Sequence, residues 1–219
     1  MYQCIIFDVD GTLIDTERVI IRALQRVLEK RGHRVEGQDL SFAVGIPGDA
    51  SLSRLGVVDR EASLREWNDH IQSLSGEIRL FDGIRDLIER LEEKGLKKGI
   101  VTSKTREELS DDFGPFGMMH YFPYRVCVDE VTFHKPHPEP LLRCLELASC
   151  APEEALFVGD TIYDSECARD SGVDFALALW GVQQGMTIPS DIALIHPLDL
   201  LNLVEMPGLE HPAGKVEYK

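Results

Sequence analysis

The first apolar run of the chain is short and unbroken. Residues 3–7 include Cys4-Ile5-Ile6-Phe7, and the polar sequence Asp8-Val9-Asp10-Gly11-Thr12 follows at once. A short continuous apolar run bounded by turn residues is typical of a buried strand. The next apolar positions are Ile20, Leu24, Val27 and Leu28. Their spacing places them on one face of a predicted helix, which Gly32 is expected to end.

The pattern is less regular over the following residues. The segment from Gly45 to Gly56 is rich in glycine and contains Pro47, so we predict a loop there. A second amphipathic helix is predicted over residues 62–74. Its apolar stripe consists of Leu64, Trp67, Ile71 and Leu74.

After residue 82 short apolar runs alternate regularly with helical stripes. Strands are predicted over residues 98–101, 125–128, 156–158, 175–179 and 192–195. Asp82 is expected to cap the first helix of this region, and Thr105-x-x-Glu108 is a capping box for the second. Further helices are predicted over residues 138–147 and 164–170. The first of these is expected to turn Leu141, Leu142 and Leu145 inward, and the tail after Met206 is expected to be irregular.

Alternating strands and helices imply an α/β fold, with a Rossmann-like parallel sheet and helices on both faces. The helical stretch between the first strand and Phe81 is too long for one crossover helix. We therefore expect an α-helical cap domain inserted over residues 14–80. The core domain would then consist of residues 1–13 and 81–219.

Polar residues follow the predicted strands, at the edge where open parallel sheets bind ligands. They are Asp8 and Asp10 after the first strand, Thr102 and Ser103 after the second, Lys135 after the third, and Asp160 and Asp164 after the fourth. These groups are far apart in the sequence, but a parallel sheet would bring them to one edge.

The residue types in this set indicate phosphoryl transfer. Carboxylates gathered at one point repel each other unless a cation lies among them, and oxygen ligands favour Mg²⁺. A lysine would offset the charge of a phosphate, whose oxygens a hydroxyl and backbone N–H groups would bind. One aspartate could attack phosphorus, and a second could protonate the leaving group and then activate water.

The same residues resemble the four motifs of the haloacid dehalogenase-like hydrolase superfamily. The matching sequences are Asp8-Val9-Asp10-Gly11-Thr12-Leu13, Val101-Thr102, Lys135-Pro136 and Val158-Gly159-Asp160-Thr161-x-x-Asp164. They occur in the family's order, and each lies at the end of a predicted strand or in the loop after one. The predicted cap and the run from Lys135 to Pro140 resemble the branch that contains phosphoglycolate phosphatase, pyrophosphatase and β-phosphoglucomutase.

The resemblance implies chemical roles for the aspartates. Asp8 would be the nucleophile that forms an aspartyl-phosphate, and Asp10 would be the general acid and base. Mg²⁺ would be bound by Asp8, by the backbone carbonyl of Asp10 and by Asp160. Asp164 would orient that metal site from behind.

The resemblance also implies how the phosphate is held. Thr102 would bind a phosphoryl oxygen, with Ser103 and Gly11 beside it. Lys135 would steady both Asp8 and the charge of the phosphate, so that Lys135 and Thr102 belong to the catalytic set as well.

More than one reaction is compatible with this resemblance. Dehalogenases of the superfamily lack the second aspartate of the first motif, so Asp10 argues against carbon–halogen hydrolysis. β-Phosphoglucomutases usually carry a histidine early in the cap, where this chain has Glu17-Arg18-Val19-Ile20. The expected function is hydrolysis of a small phosphomonoester resembling phosphoglycolate or a sugar phosphate. An inorganic pyrophosphatase, a phosphosugar mutase and a catalytically silent regulatory or binding module are the alternatives.

The composition limits the class of partner. The chain has 38 acidic and 23 basic residues, a formal net charge of −15, which argues against nucleic acid and against anionic membranes. Its cysteines form no CxxC pair, and its N-terminus has no basic, apolar leader, so we expect a cytoplasmic location. The expected partner is a small phosphorylated metabolite, and the expected state is a monomer or homodimer. The candidates for guiding an anionic substrate are Arg18, Arg54, Lys104 and Arg106.

Overall fold

The computed structural model describes residues 1–33, 35–182 and 186–205. Its strands are β1 (Cys4–Phe7), β2 (Ile14–Asp15), β3 (Arg79–Leu80), β4 (Lys97–Val101), β5 (Tyr124–Val126), β6 (Ala155–Gly159), β7 (Asp174–Ala178) and β8 (Ile192–Leu194). Its α-helices are α1 (Glu17–Lys30), α2 (Gly48–Arg54), α3 (Arg60–Ser73), α4 (Ile84–Glu93), α5 (Arg106–Asp112), α6 (Glu139–Ala148), α7 (Ile162–Ser171) and α8 (Leu200–Glu205). Every strand predicted from an apolar run is present, with ends within two residues of the prediction.

Six of the strands form one sheet in the order β5-β4-β1-β6-β7-β8, and each neighbouring pair is parallel. β1 lies in the middle, with Phe7 in register with Ile100 of β4 and Val158 of β6. Because the strands are parallel, their carboxyl ends meet at one edge of the sheet. The predicted α/β class and Rossmann-like sheet are confirmed.

Helices cover both faces of this sheet, which explains why its strands are apolar without interruption. On one face Ile5 and Phe7 of β1 pack in a cluster with the apolar stripe of α4. On the other face Cys4 and Ile6 pack in a cluster with Leu141 of α6 and residues of α7. Successive side chains of β1 therefore enter two different cores.

The stretch predicted to be a cap has its own apolar cluster. Its buried members all lie between Ile20 and Trp67, on α1, α2, α3 and the turns between them. The two ends of the stretch meet in an antiparallel ribbon, in which Ile14 of β2 pairs with Leu80 of β3. This geometry is compatible with boundaries at residues 13/14 and 80/81, and the division into domains itself stays a prediction.

The loop predicted from Gly45 to Gly56 is wrong in part, because α2 occupies Gly48–Arg54. Gly48 marks a close approach between helices here, since a Cβ atom on it would lie 2.5 Å from Leu64 of α3. Leu52 of α2 is fully buried in the cap cluster. Tertiary packing therefore decides the conformation of a segment whose glycines suggest a loop.

Two smaller expectations also fail. Asp82 does not cap α4; the cap position is Gly83, whose φ of 85° is left-handed and whose missing Cβ leaves room for His196. Leu142 points outward with 39% of its surface exposed, whereas Leu141 and Leu145 are buried as predicted. The helix α8 is additional, and the expected irregular tail after Met206 lies outside the described residues.

Across the described ranges, none of the helices has both the length and the apolar character that a membrane crossing requires.

The two adjacent leucines of α6 provide a matched test of this packing. Leu141 is fully buried, so Leu141→Ala should leave a cavity and lower the free energy of unfolding by roughly 2–5 kcal/mol. Leu142→Ala makes the same chemical change at a partly exposed position and should cost less than about 1 kcal/mol. Urea denaturation of both variants measures the difference, and equal losses would contradict the observed orientation of α6.

Candidate active site

The predicted site residues meet at the carboxyl edge of the sheet. Asp8 follows the central strand β1 and donates its backbone N–H to the Val158 carbonyl of β6 at 2.9 Å. Thr102 follows β4, and Asp160 follows β6 directly. The hydrogen-bonded register of β1 with β4 and β6 thus places these turns side by side.

A buried lysine joins two of the aspartates. The Lys135 Nζ atom lies 2.8 Å from Asp8 Oδ1 and 2.7 Å from Asp164 Oδ1, and all three side chains are at most 2% exposed. Burial opposes the charge of Lys135, but the carboxylates of Asp164 and Asp8 outweigh it and raise the pKa of the ammonium group. Lys135 is therefore charged, as a buried ion pair requires.

One ammonium group does not balance the negative charge around it. Carboxylate oxygens of Asp8, Asp160 and Asp164 lie within 4.8 Å of one another. Burial raises the pKa of Asp8 to about 7, and nearby Asp164 adds to that effect. Burial likewise raises the pKa of Asp160 well above its usual value, again with Asp164 adding to it. Asp8 Oδ2 is buried without a hydrogen-bond partner in the part of the chain that the structure describes.

These features fit a bound divalent cation. The donor set is made of oxygen atoms, which suits Mg²⁺, and the cluster has excess negative charge and a free carboxylate oxygen on Asp8. Asp160 Oδ1 accepts a hydrogen bond from Thr12 Oγ1 at 2.9 Å. Gly11 has a φ of 75°, and a Cβ atom there would lie 2.1 Å from Asp160 Oδ2. The glycine thus leaves room for the second carboxylate oxygen, so Asp8 and Asp160 are the side chains suited to hold an ion.

Asp164 differs from those two because both of its oxygens have partners. Oδ1 contacts Lys135, and Oδ2 accepts hydrogen bonds from the backbone and hydroxyl of Thr161 at 3.0 and 2.5 Å. The Thr161 pair is a capping box at the start of α7. A carboxylate held in this way positions Lys135, and the expected role of Asp164 in orienting a metal site stays a prediction.

Asp10 has a separate set of partners. Its Oδ1 atom accepts a hydrogen bond from Thr16 Oγ1 at 2.6 Å and lies 3.0 Å from Lys104 Nζ. Lys104 in turn pairs with Asp112 at 2.7 Å. Lys104 is 7% exposed, so it is part of a buried ion network, and not the free guiding cation considered from the sequence.

The structure adds Thr16 and Asp112 to the residues around the site. Thr16 lies at the N-cap of α1, three residues after the first motif, which ends at Leu13. The nearness of its hydroxyl to that motif is the only feature of the sequence that points to Thr16 as a site residue. The contact of Asp112 with Lys104 could not be predicted from the sequence, because it depends on how α5 packs.

The two strand-end hydroxyls behave differently. Thr102 is buried, and its Oγ1 atom accepts a hydrogen bond from the Lys104 backbone at 3.2 Å. The hydroxyl of Ser103 donates to the Gly45 carbonyl at 2.9 Å. Ser103 therefore binds the inserted segment through its side chain, while Thr102 lies deeper in the site.

The loop around Gly45 packs against the carboxyl edge of the sheet. Gly45 has a φ of 97°, and a Cβ atom there would lie 2.7 Å from Thr161 Cγ2. The loop thus contacts the turn that carries Asp160 on one side and Ser103 on the other. Asp8, at the same edge of the sheet, is 1% exposed.

A cavity of about 610 Å³ lies between the insert and the sheet edge. Its walls include Asp10, Ser103 and Lys104 from the core, and Ile20, Trp67 and Gln72 from the insert. This volume is in the range of small-molecule sites. The cavity gives a reactant access to the Asp10 side of the site.

A second cavity of about 490 Å³ touches Gly11 and Asp160 and includes Arg18 and Arg54. Both arginines are exposed, and Arg54 lies over the Phe42 ring. Arg106 does not line either cavity and pairs with Glu130. Of the four candidates for guiding an anionic substrate, Arg18 and Arg54 therefore line the cavity that touches Asp160, and Lys104 lies at Asp10.

Comparison with known proteins gives the chain a family. Residues 5–178 match the model of the haloacid dehalogenase-like hydrolases. A Caldanaerobacter subterraneus protein, itself proposed to be pyrophosphatase PpaX, is 33% identical over 180 residues, which cover 81% of this chain and 82% of the relative. Pyrophosphatase PpaX of Bacillus cereus is 32% identical over 181 residues, covering 80% and 82%.

A solved structure gives the same result. A Lactobacillus plantarum protein, described as a proposed phosphoglycolate phosphatase, superposes with a TM-score of 0.83 at 30% identity. The superposition covers 93% of this chain and 99% of the other. On the family match, the relatives and the shared fold, this chain belongs to the haloacid dehalogenase-like hydrolases.

Proposed function

We propose that this protein is a Mg²⁺-dependent phosphatase that hydrolyses a small phosphomonoester through an aspartyl-phosphate on Asp8. The observation that carries the proposal is the asymmetric environment of the Asp8 carboxylate. One oxygen is fixed by Lys135, and the other is buried and has no hydrogen-bond partner among the described residues, in a carboxylate cluster that includes Asp160. A carboxylate held by one oxygen, with the other unpaired, is suited to nucleophilic attack.

In the first step Asp8 attacks phosphorus, and the bond from phosphorus to the leaving oxygen breaks. Lys135 holds Asp8 in place and offsets charge on the phosphoryl group, with Thr102 as a further contact to it. When bound, Mg²⁺ supplies positive charge that reduces the repulsion between Asp8 and the phosphoryl oxygens. Asp10, on the wall of the larger cavity, gives its proton to the departing alcohol.

In the second step water attacks the phosphorus of the aspartyl-phosphate. Asp10, now ionised, takes a proton from that water, and Asp8 and inorganic phosphate are released. Thr16 and Lys104 hold Asp10 in one orientation for both transfers. The Gly45 loop would exclude bulk water when closed and would have to move for the alcohol to leave.

The insert is proposed to act as a mobile cap. Its contacts with the core include Ser103 with Gly45, and Asn68 Nδ2 with Glu108 Oε1 at 2.9 Å. Such polar contacts are readily exchanged for water, unlike the buried clusters on either side. The β2–β3 ribbon, which connects the two parts, is the proposed hinge.

A pyrophosphatase is the second candidate, because two relatives carry that activity in their names. A phosphosugar mutase is less well supported. Early in the cap, where β-phosphoglucomutases usually carry a histidine, this chain has Glu17-Arg18-Val19-Ile20, and Ile20 lines the larger cavity together with Asp10. A catalytically silent module would not need the buried, charge-coupled group of Asp8, Lys135 and Asp164, whose burial is costly without a role.

The direct test is phosphate release from a panel of substrates by the full chain with Mg²⁺. The panel contains p-nitrophenyl phosphate, sugar phosphates, nucleoside monophosphates, 2-phosphoglycolate and pyrophosphate. Release from phosphomonoesters supports the proposal, and the best ester gives the substrate class. Release from pyrophosphate alone would favour the second candidate, and no release from any compound would favour the silent module.

Replacement of the nucleophile should abolish turnover. Asp8→Asn keeps the size of the side chain but removes its negative charge, so activity should fall by roughly 10⁴-fold or more, the scale seen for other covalent nucleophiles. Thermal unfolding verifies that the variant is folded. Asp86→Asn, the same change at an exposed position on α4, is the control and should keep full activity. Appreciable turnover by pure Asp8→Asn protein would exclude Asp8 as the nucleophile.

Removal of the proposed acid should depend on the leaving group. Asp10→Asn should slow hydrolysis of alkyl phosphates by roughly 10²–10⁴-fold, because an alkoxide leaves poorly without a proton. The loss should be much smaller for the formation of p-nitrophenol, a leaving group that needs little protonation. Single-turnover kinetics with both substrates isolate this first step. Equal losses for both substrates would argue against proton donation by Asp10.

Metal removal should affect both activity and stability. EDTA should abolish phosphate release, and Mg²⁺ should restore it. Mg²⁺ should also raise the melting temperature, by roughly 2–4 °C for each kcal/mol of binding free energy, since the ion relieves carboxylate repulsion. Asp160→Asn should lose this stabilisation, whereas Asp86→Asn should keep it. Full activity in metal-free protein would contradict the proposed cofactor.

A further inference from the structure

The larger cavity defines what can occupy the space next to the reacting phosphate. Asp10, the proposed proton donor to the leaving alcohol, lies on its wall together with Ser103 and Lys104. If the proposed function holds, the alcohol part of the substrate must therefore extend into this cavity. The other residues that line the cavity indicate which chemical groups this alcohol can carry.

The core side of the cavity is strongly acidic. Besides Asp10, it is lined by the carboxylates of Glu107, Glu108, Asp111 and Asp112, and Asp69 of α3 adds a further carboxylate from the cap side. Asp69, Glu107 and Asp111 are exposed and have no hydrogen-bond or ion-pair partner in the described part of the chain. An incoming anion would meet these charges without a compensating cation.

The cations on the cavity wall are already engaged. Its basic residues are Arg65 and Lys104. Arg65 pairs with Glu61 one helical turn earlier on α3. Lys104 lies between Asp10 and Asp112, at 3.0 and 2.7 Å. Lys104 is thus held by two buried carboxylates, whereas the exposed Arg65–Glu61 pair is weak, and the six carboxylates of the wall outnumber these two basic groups.

The cap side of the cavity is apolar. Ile20, Leu64, Trp67 and Ile71 line it, next to the neutral amides of Asn68 and Gln72. Trp67 is fixed there, because its Nε1 atom donates to the Ile20 carbonyl at 3.1 Å and the side chain is 3% exposed. The apolar part of this wall suits carbon-bound hydrogens, and the charged residues on the same side are Asp69 and Arg65 of α3.

We infer that the substrate of this proposed phosphatase is a monophosphate ester whose alcohol is uncharged or cationic and has an apolar face. The acidic wall would attract an ammonium group, tolerate hydroxyl groups and repel a carboxylate or second phosphate. The inference rests on the proposed function. It separates this chain from the activities in its relatives' names, because pyrophosphate and phosphoglycolate both carry a second anionic group.

Three esters of nearly equal size test the charge preference. They are 2-phosphoglycolate, 2-hydroxyethyl phosphate and O-phosphorylethanolamine, which end in a carboxylate, a hydroxyl and an ammonium group. Each is ranked by kcat/KM with the Mg²⁺-loaded full chain, and by competitive inhibition of p-nitrophenyl phosphate hydrolysis. The inhibition measurement gives the binding strength of an ester even when the enzyme binds it without hydrolysing it.

We expect the hydroxyl and ammonium esters to exceed phosphoglycolate by roughly tenfold or more, with a smaller ratio at high salt. Equal or better use of phosphoglycolate or pyrophosphate would overturn the inference while leaving the phosphatase proposal intact. If no compound is hydrolysed, p-nitrophenyl phosphate included, the proposed function fails and this inference fails with it.

A pair of double variants assigns the effect to the cavity wall. Glu107→Gln with Asp111→Asn removes two of the unpaired carboxylates at nearly constant size. It should raise the ratio of kcat/KM for phosphoglycolate to that for 2-hydroxyethyl phosphate by roughly threefold or more. The control, Asp86→Asn with Glu89→Gln at exposed positions of α4, removes the same number of negative charges and should leave the ratio unchanged. Equal changes in both double variants would show that overall charge, and not the cavity, sets the preference.

Discussion

The ammonium group of Lys135 lies between the carboxylates of Asp8 and Asp164, and the rest of the catalytic edge is arranged around that contact. The lysine is tolerated in the interior because two carboxylates offset its burial. Asp164 can take part because the capping box at the start of α7 already fixes its other oxygen. Asp8 is then held through Oδ1, and its Oδ2 atom has no hydrogen-bond partner in the part of the chain that the structure describes. The excess negative charge of the cluster of Asp8, Asp160 and Asp164 favours a divalent cation. The proposed nucleophile, the proposed metal ligands and the helix cap thus form one electrostatic unit.

The sheet and the insert contribute different parts of the candidate active site. The parallel register of β1 with β4 and β6 brings charged turns to one edge, where burial strengthens their interactions. The insert supplies the cover, through the Gly45 loop, and one wall of the cavity beyond Asp10. In the proposed mechanism the core sets the reaction type, and the cavity between core and insert sets the choice of substrate. This is why relatives with the same core need not share a substrate.

Much of the fold and of the site could be predicted from the sequence because the signals are local. Each predicted strand is a short apolar run, and each motif residue follows such a run or the loop after it, so the parallel topology brings Asp8, Lys135 and Asp160 together. Features that depend on packing between distant segments could not be predicted. Gly48 looks like a loop residue until Leu64 packs against it, and Lys104 looks like a surface cation until Asp112 pairs with it. The charge of the larger cavity has the same origin, since its walls come from α3 and α5.

The central claim is that phosphorus is transferred to Asp8, and chemical trapping tests it most directly. Enzyme quenched in acid during turnover is reduced with borohydride, which converts an aspartyl-phosphate to homoserine, and its peptides are analysed by mass spectrometry. We expect homoserine at position 8, only when both substrate and Mg²⁺ are present. Modification of another residue instead, or phosphate release in the same quenched samples without any change at position 8, would contradict the mechanism.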